Sequence, residues 1–103
     1  MKNTVSVIIN FHNGEKYLAT CIESVLNQKF ENFEIILWDN ASTDNSKNIV
    51  KKFQEKKIKY FRHPIKENLY KARNRAIDVS SGQLIAFLDC DDWWEEDYLS
   101  ARE

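Results

Sequence analysis

The 103-residue chain predicts an α/β domain, an open and mainly parallel sheet with flanking helices. Three observations carry that prediction. Four short apolar runs start near residues 5, 34, 58 and 84. Each interval between them leaves room for one helix, the spacing of βαβ units with right-handed crossovers. The composition, 43% hydrophobic and 30% charged with two glycines and one proline, suits a single packed core rather than a disordered or linker-rich chain. A chain of this length accommodates one domain and not two.

The first run, Val5 to Asn10, is β-branched and too apolar on both faces for a half-exposed strand. Asn13-Gly14 then predicts a turn. From Glu15 to Gln28, the residues Leu18, Cys21, Ile22, Val25 and Leu26 repeat at i, i+3, i+4, i+7 and i+8, one face of a helix. Glu34 to Asp39 is the second strand. Ser42, Thr43 and Asp44 supply N-cap candidates for a helix that turns Ile49, Val50 and Phe53 inward. Ile58 to Arg62 alternates, which predicts a strand nearer the sheet edge, and His63-Pro64 ends it. Leu69, Ala72, Ala76 and Ile77 mark a third helix with Gly82 as its stop signal. Leu84 to Leu88 reads as the fourth and most buried strand, and Trp93 to Ala101 as the start of another helix.

A net charge of −1 gives no global field for nucleic acid or an anionic membrane. The charge is nevertheless divided: eleven Lys and Arg lie between Lys47 and Arg75, and seven Asp and Glu follow from Asp89 onward. The basic stretch reads as a solvated helix face and strand, whereas the acidic run begins directly after an apolar strand. Cys21 and Cys90 have no metal-ligand or redox spacing, which fits a reduced compartment better than a disulfide scaffold. No apolar run approaches the ~20 residues of a membrane span, and the early start of the first strand leaves no charged-then-apolar leader. The expectation is a cytoplasmic domain.

Open parallel sheets bind ligands outside the carboxyl ends of their strands. Asn10 to Asn13, Asp39 to Ser42 and Asp89 to Asp92 all converge there. No GxGxxG and no GxxxxGK[ST] is present, so a phosphorylated ligand must be met by a metal or by Lys and Arg. Asp89-Cys90-Asp91 offers hard carboxylate oxygens at the end of a rigid strand, the donor type that Mg²⁺ and Mn²⁺ take. The same acids also fit a loop that opens a helix. Trp93 and Trp94 fit either packing or stacking on a ligand, and His12 a surface turn or a base.

In this order the blocks VSVIINFHNGEKYLATCIESVLNQ, FEIILWDNASTDNS, NLYKARNRAI and GQLIAFLDCDDWW resemble the family 2 glycosyltransferases. The resemblance implies the N-terminal, donor-binding half of a Rossmann-like GT-A domain, residues 1–103, ending just after the DXD motif. It implies that Phe11, His12 and Asn13 line the base and ribose. Asp39 and Asn40 stand at the two acids of the family's DDGS block, with an amide in the second place. Arg73 matches a basic position facing the donor diphosphate or base. Asp89 and Asp91 match the DXD, Asp91 as metal ligand and Asp89 near the ribose. The family's glycine before the third helix is replaced by Leu69-Tyr70. The implied activity is inverting transfer of a sugar from a nucleoside-diphosphate sugar to a glycan or lipid-linked acceptor, with Mn²⁺ or Mg²⁺, in a domain peripheral to the membrane. The acceptor's general base would belong to the later half, leaving the isolated chain without turnover. A phosphatase with a DxD after its first strand fits poorly, because this pair lies late and Trp93-Trp94 follows. The other reading is a non-catalytic module that associates as a homodimer.

Overall fold

The computed structural model describes residues 4–102; Glu103, the last of the acidic run, lies outside them. The elements are β1 (Val5–Phe11), α1 (Leu18–Leu26), β2 (Phe33–Asn40), α2 (Ser46–Lys51), β3 (Ile58–His63), α3 (Leu69–Asp78) and β4 (Leu84–Phe87), followed by a single 3-10 turn, Ser100–Arg102. All strand pairs are parallel, in the order β3-β2-β1-β4. The four-stranded parallel sheet with flanking helices is the architecture that the spacing predicts.

Alternation in the two central strands divides the core into two layers. Val5, Val7, Ile9 and Phe11 of β1 and Phe33, Ile35 and Leu37 of β2 pack with Leu18, Cys21, Ile22 and Val25 of α1 and with Val50 of α2. Ile8, Ile36 and Trp38 point the other way, onto Ala72 and Ala76 of α3. The first two crossover helices share one face and α3 takes the other, as a common handedness demands once the winding reverses across β1. That reversal makes the β1–β4 boundary the switch point of the sheet.

Four sequence expectations are corrected. β4 is not the most buried strand: it pairs only with β1 at the sheet edge, and Leu84, Ile85 and Phe87 remain 45, 37 and 42% exposed. Leu88, just beyond it, is buried. Gly82 is not the stop of α3, which ends at Val79. A Cβ on Gly82 would lie 2.5 Å from Ser6 Oγ and 2.6 Å from Ser6 N, so glycine is needed there for close approach to β1. The segment after Asp92 forms turns rather than a helix, because Gln28 takes its backbone groups. Gln28 Nε2 donates to the Glu95 carbonyl (2.6 Å) and Gln28 Oε1 accepts from Leu99 N (2.9 Å). Finally, none of Ser42, Thr43 and Asp44 is the N-cap of α2. Asn45 holds that place, while Asp44 Oδ1 accepts from Ser46 N (3.0 Å).

At the amino end of the sheet, Glu34 is buried on the α3 side. Its carboxylate accepts from Ser6 Oγ (2.5 Å), Lys59 Nζ (2.7 Å), Ser81 N (2.6 Å) and Ser81 Oγ (3.0 Å). One side chain thereby fastens β1, β2, β3 and the α3–β4 connection.

Candidate functional site

At the opposite, carboxyl end, the loops after β1 and β2 are stitched to each other. Asn13 adopts φ 56°, and its Oδ1 accepts from Thr43 N (2.7 Å) and Asp44 N (3.2 Å). Ser42 Oγ accepts from Asn13 N (2.8 Å), and Ser46 Oγ from Gly14 N (3.0 Å). His12 Nδ1 lies 2.7 Å from the Asn40 carbonyl. The Asn13-Gly14 turn of the sequence is therefore a turn built to meet β2's loop, with Asn in the left-handed conformation it tolerates better than most residues.

Asp39 and Asn40 point to opposite faces, as adjacent strand residues must. Asp39 is completely buried; Oδ1 accepts from Ser42 N (2.8 Å) and Oδ2 from the Tyr60 hydroxyl (2.5 Å). Burial, then the bond to Asp39 and its charge, push the Tyr60 hydroxyl well above its usual range. Asn40 Nδ2 donates to the Glu67 carbonyl (2.7 Å) while its Oδ1 accepts from Glu67 N (2.9 Å). Only an amide can make that pair of bonds, since a carboxylate has no donor to offer. Glu67 in turn holds Arg75, which draws its carboxyl below the usual range. Ala41, between these two residues and Ser42, takes φ 57°, a conformation that costs a residue with a Cβ about 1–2 kcal/mol. Ala41→Gly is expected to raise stability by about 0.5–1 kcal/mol, after the added freedom of the unfolded chain is offset, and a urea midpoint checks it.

The switch point opens as a crevice of about 600 Å³ between residues 10–14 and 89–91, with Lys16 and Tyr17 at its rim. Phe11 borders it while its ring joins the core. Asp89 and Asp91 are exposed on the far wall. Cys21 Sγ donates to the Asp89 carbonyl (3.5 Å), so the buried face of α1 anchors this loop. Burial, with the neighbouring Cys90 and acids, lifts the Cys21 thiol to about 12, and burial with Asp91 and Asp89 raises that of Cys90. Neither cysteine is an activated nucleophile. Beyond Asp89 a second hollow of about 640 Å³ lies among Arg73, Phe87, Trp93 and Trp94. Arg73 sits over the Phe87 ring (5.0 Å), with its guanidinium 3.9 Å from Asp89 Oδ1. Trp94 is buried and stacked on Tyr98 (4.2 Å between centroids), whereas Trp93 is exposed.

The structure thus gathers His12, Asn13, Asp89 and Asp91 around one crevice and sets Arg73 beside Asp89. Asp39 and Asn40 brace the loops from below. The roles of Tyr60, Glu67 and Gln28 carry no signal in the sequence, because each acts through a partner more than 20 residues away.

A metal held here meets two hard carboxylates. Among the described residues no three His, Cys, Asp or Glu side chains gather to cage an ion. Two carboxylates with free coordination positions fit Mg²⁺ or Mn²⁺, which keep water and phosphate oxygens as further ligands.

The profile of Glycosyl transferase family 2 matches residues 6–101. The chain belongs to glycosyltransferase family 2. Over 90 residues it is 38% identical to the Escherichia coli UDP-Glc:alpha-D-GlcNAc-diphosphoundecaprenol beta-1,3-glucosyltransferase WfgD, covering 87% of this chain and 36% of that one. S. aureus TarS 1–349 in complex with UDP-GlcNAc superposes with a TM-score of 0.90 at 30% identity, over 96% of this chain and 30% of that fragment. The mannosyltransferase PcManGT from Pyrobaculum calidifontis, in complex with GDP-Man and Mn²⁺, shares the fold (TM-score 0.90, 20% identity, 97% of this chain and 31% of that one). The sheet is accordingly that of GT-A glycosyltransferases. The chain spans 28% of Bacillus subtilis EpsH and 14% of Streptococcus pneumoniae GlyA, so it corresponds to a minor part of such relatives. No helix among the described residues is long and apolar enough to cross a membrane.

Proposed function

We propose that this chain is the donor-binding portion of an inverting, metal-dependent glycosyltransferase that uses a nucleoside-diphosphate sugar. The observation that carries the reading is the crevice at the switch point, where the β1 loop faces the two carboxylates of Asp89 and Asp91. The nucleoside lies along residues 10–13, with Asp39 and Asn40 fixing that wall, and Asp89 meets the ribose. The sugar reaches toward the hollow beneath Trp93, where Arg73 supplies a positive charge. Asp91 would hold the Mn²⁺ or Mg²⁺, which, when bound, offsets charge on the departing diphosphate. The acceptor, a glycan or a lipid-linked saccharide, needs a general base for its hydroxyl, and that base belongs to the further length that the relatives possess. The 103 residues alone bind nucleotide without transferring sugar, in a cytoplasmic domain peripheral to the membrane.

Titrating the chain with UDP and GDP, with and without Mn²⁺, and following amide resonances tests this reading. Shifts at His12, Asn13, Asp89 and Asp91 that need the metal are expected. Asp91→Asn should weaken Mn²⁺-dependent UDP binding by about tenfold or more and leave stability within about 0.5 kcal/mol, since Asp91 is exposed. Equal binding with and without metal would refute the metal role.

The exposed apolar edge of β4 favours a second reading, a module that pairs with a second copy of itself. In that case the same titration shows no nucleotide shifts, and sedimentation shows a dimer that dissociates on Ile85→Lys.

A further inference from the structure

We propose that Asn10 is a specificity-determining residue of the crevice, its side-chain N–H donating to an acceptor oxygen on the nucleoside part of the bound nucleotide. The inference rests on the donor-binding reading above. Asn10 stands at the carboxyl end of β1, beside the switch point, and lines both the β1–β4 crevice and the narrow cleft beneath Arg73, Leu69 and Phe87. Its Nδ2 is buried and has no hydrogen-bond partner.

Buried donors without a partner are rare, because each forfeits about 1–3 kcal/mol of hydration. The side chains of Asp39, Asn40 and Asn13 are engaged within the protein. Both Asp39 oxygens are taken by Ser42 and Tyr60, both ends of the Asn40 amide by Glu67, and Asn13 Oδ1 by Thr43 and Asp44. The second orphaned donor among the described residues, Trp38 Nε1, belongs to an indole stacked on Phe61 and does not line the crevice. Asn40 is clamped on Glu67 and does not line the crevice, whereas Asn10 lines it with a donor that has no partner, already desolvated and fixed on a strand. A donor at this position selects an acceptor oxygen. The nucleoside would supply it, because a metal held by Asp91 would draw the diphosphate to the far wall of the crevice.

The side-chain NH₂ resonance of Asn10 tests the assignment. It should move on adding UDP or uridine and stay in place with pyrophosphate. Asn10→Leu removes the orphan donor at similar volume, so it should leave the urea midpoint of the free chain equal or higher and weaken UDP binding about tenfold. Asn10→Asp, which keeps the shape and loses the donor, should weaken UDP binding as well. The assignment is overturned if Asn10→Leu or Asn10→Asp binds UDP as the unaltered chain does, which would mark an amide satisfied by a trapped water. It is also overturned if the resonance follows pyrophosphate instead of uridine. If UDP moves no resonance anywhere in the unaltered chain, the donor-binding reading fails and this one with it.

Discussion

Replacing Glu34 with alanine is expected to cost about 3 kcal/mol at neutral pH, with the loss concentrated at the end of the sheet away from the crevice. Burial by itself would raise the Glu34 carboxyl. The bonds from Lys59, Ser6 and Ser81 overcome that penalty and hold it at about 2, against an ordinary value of 4.5. A carboxylate whose folded value is depressed stabilises the protein fully above its unfolded value, and that contribution disappears as pH falls through the folded value. The window here runs from about 4.5 down to about 2, and the interval corresponds to about 3 kcal/mol. Urea midpoints followed from neutral pH to about pH 2 should therefore decline steeply for the unaltered chain. Glu34→Gln should start lower and decline less over that window. A parallel decline in both proteins would show that the network around Ser6 and Ser81 does not depend on the charge.

How much of this was legible in the sequence depends on what each signal encodes. Apolar runs and helical periodicity report which faces avoid water, and they located β1, β2, β3, α1 and α3 to within a few residues. They do not report neighbours. The run from Leu84 to Leu88 looks as buried as Val5 to Asn10, yet strand order puts one at the edge and the other in the middle. Gly82 has the same difficulty: the letter is compatible with a helix stop, and only the 2.5 Å approach to Ser6 Oγ reveals its use. The carboxyl edge was more readable, because strand-end residues in a parallel sheet converge whatever the neighbours are. The placing of Asp39, Asp89, Asp91 and the 11–13 loop at that edge follows for that reason, though Asp39 lies buried beneath the crevice and does not line it. The partners that hold them do not follow. Tyr60, Glu67 and Gln28 are ordinary letters until the fold brings a hydroxyl to Asp39, a backbone to Asn40 and an amide to residues 95–99.

Asp39 is where fold and site meet, so its removal should be felt in both. Asp39→Ala is expected to cost about 3–4 kcal/mol, because it opens a void in a fully buried position and strands two donors, Ser42 N–H and the Tyr60 hydroxyl. Asp39→Asn should cost less, about 1–2 kcal/mol. Its oxygen can still accept from Ser42 N–H, and the Tyr60 hydroxyl can rotate to accept from the new NH₂. The two variants should separate further in function. Ser42 holds the Asn13 backbone, Thr43 and Asp44 hold its side chain, and Ala41 is kept in a left-handed conformation between them. Once the turn at Ser42 loses its acceptor, that loop has no reason to keep its strained form, and the wall formed by His12 and Asn13 should loosen with it. Nucleotide binding, where present, should fall about tenfold or more in Asp39→Ala and by less in Asp39→Asn, in step with the recovery of the Ser42 bond. Hydrogen exchange supplies the decisive measurement: the Ser42 and Asn13 amides should lose protection together in Asp39→Ala and retain it in Asp39→Asn. Loss at Ser42 alone would mean that Asn13 holds its turn without help from β2, and that Asp39 serves stability rather than the site.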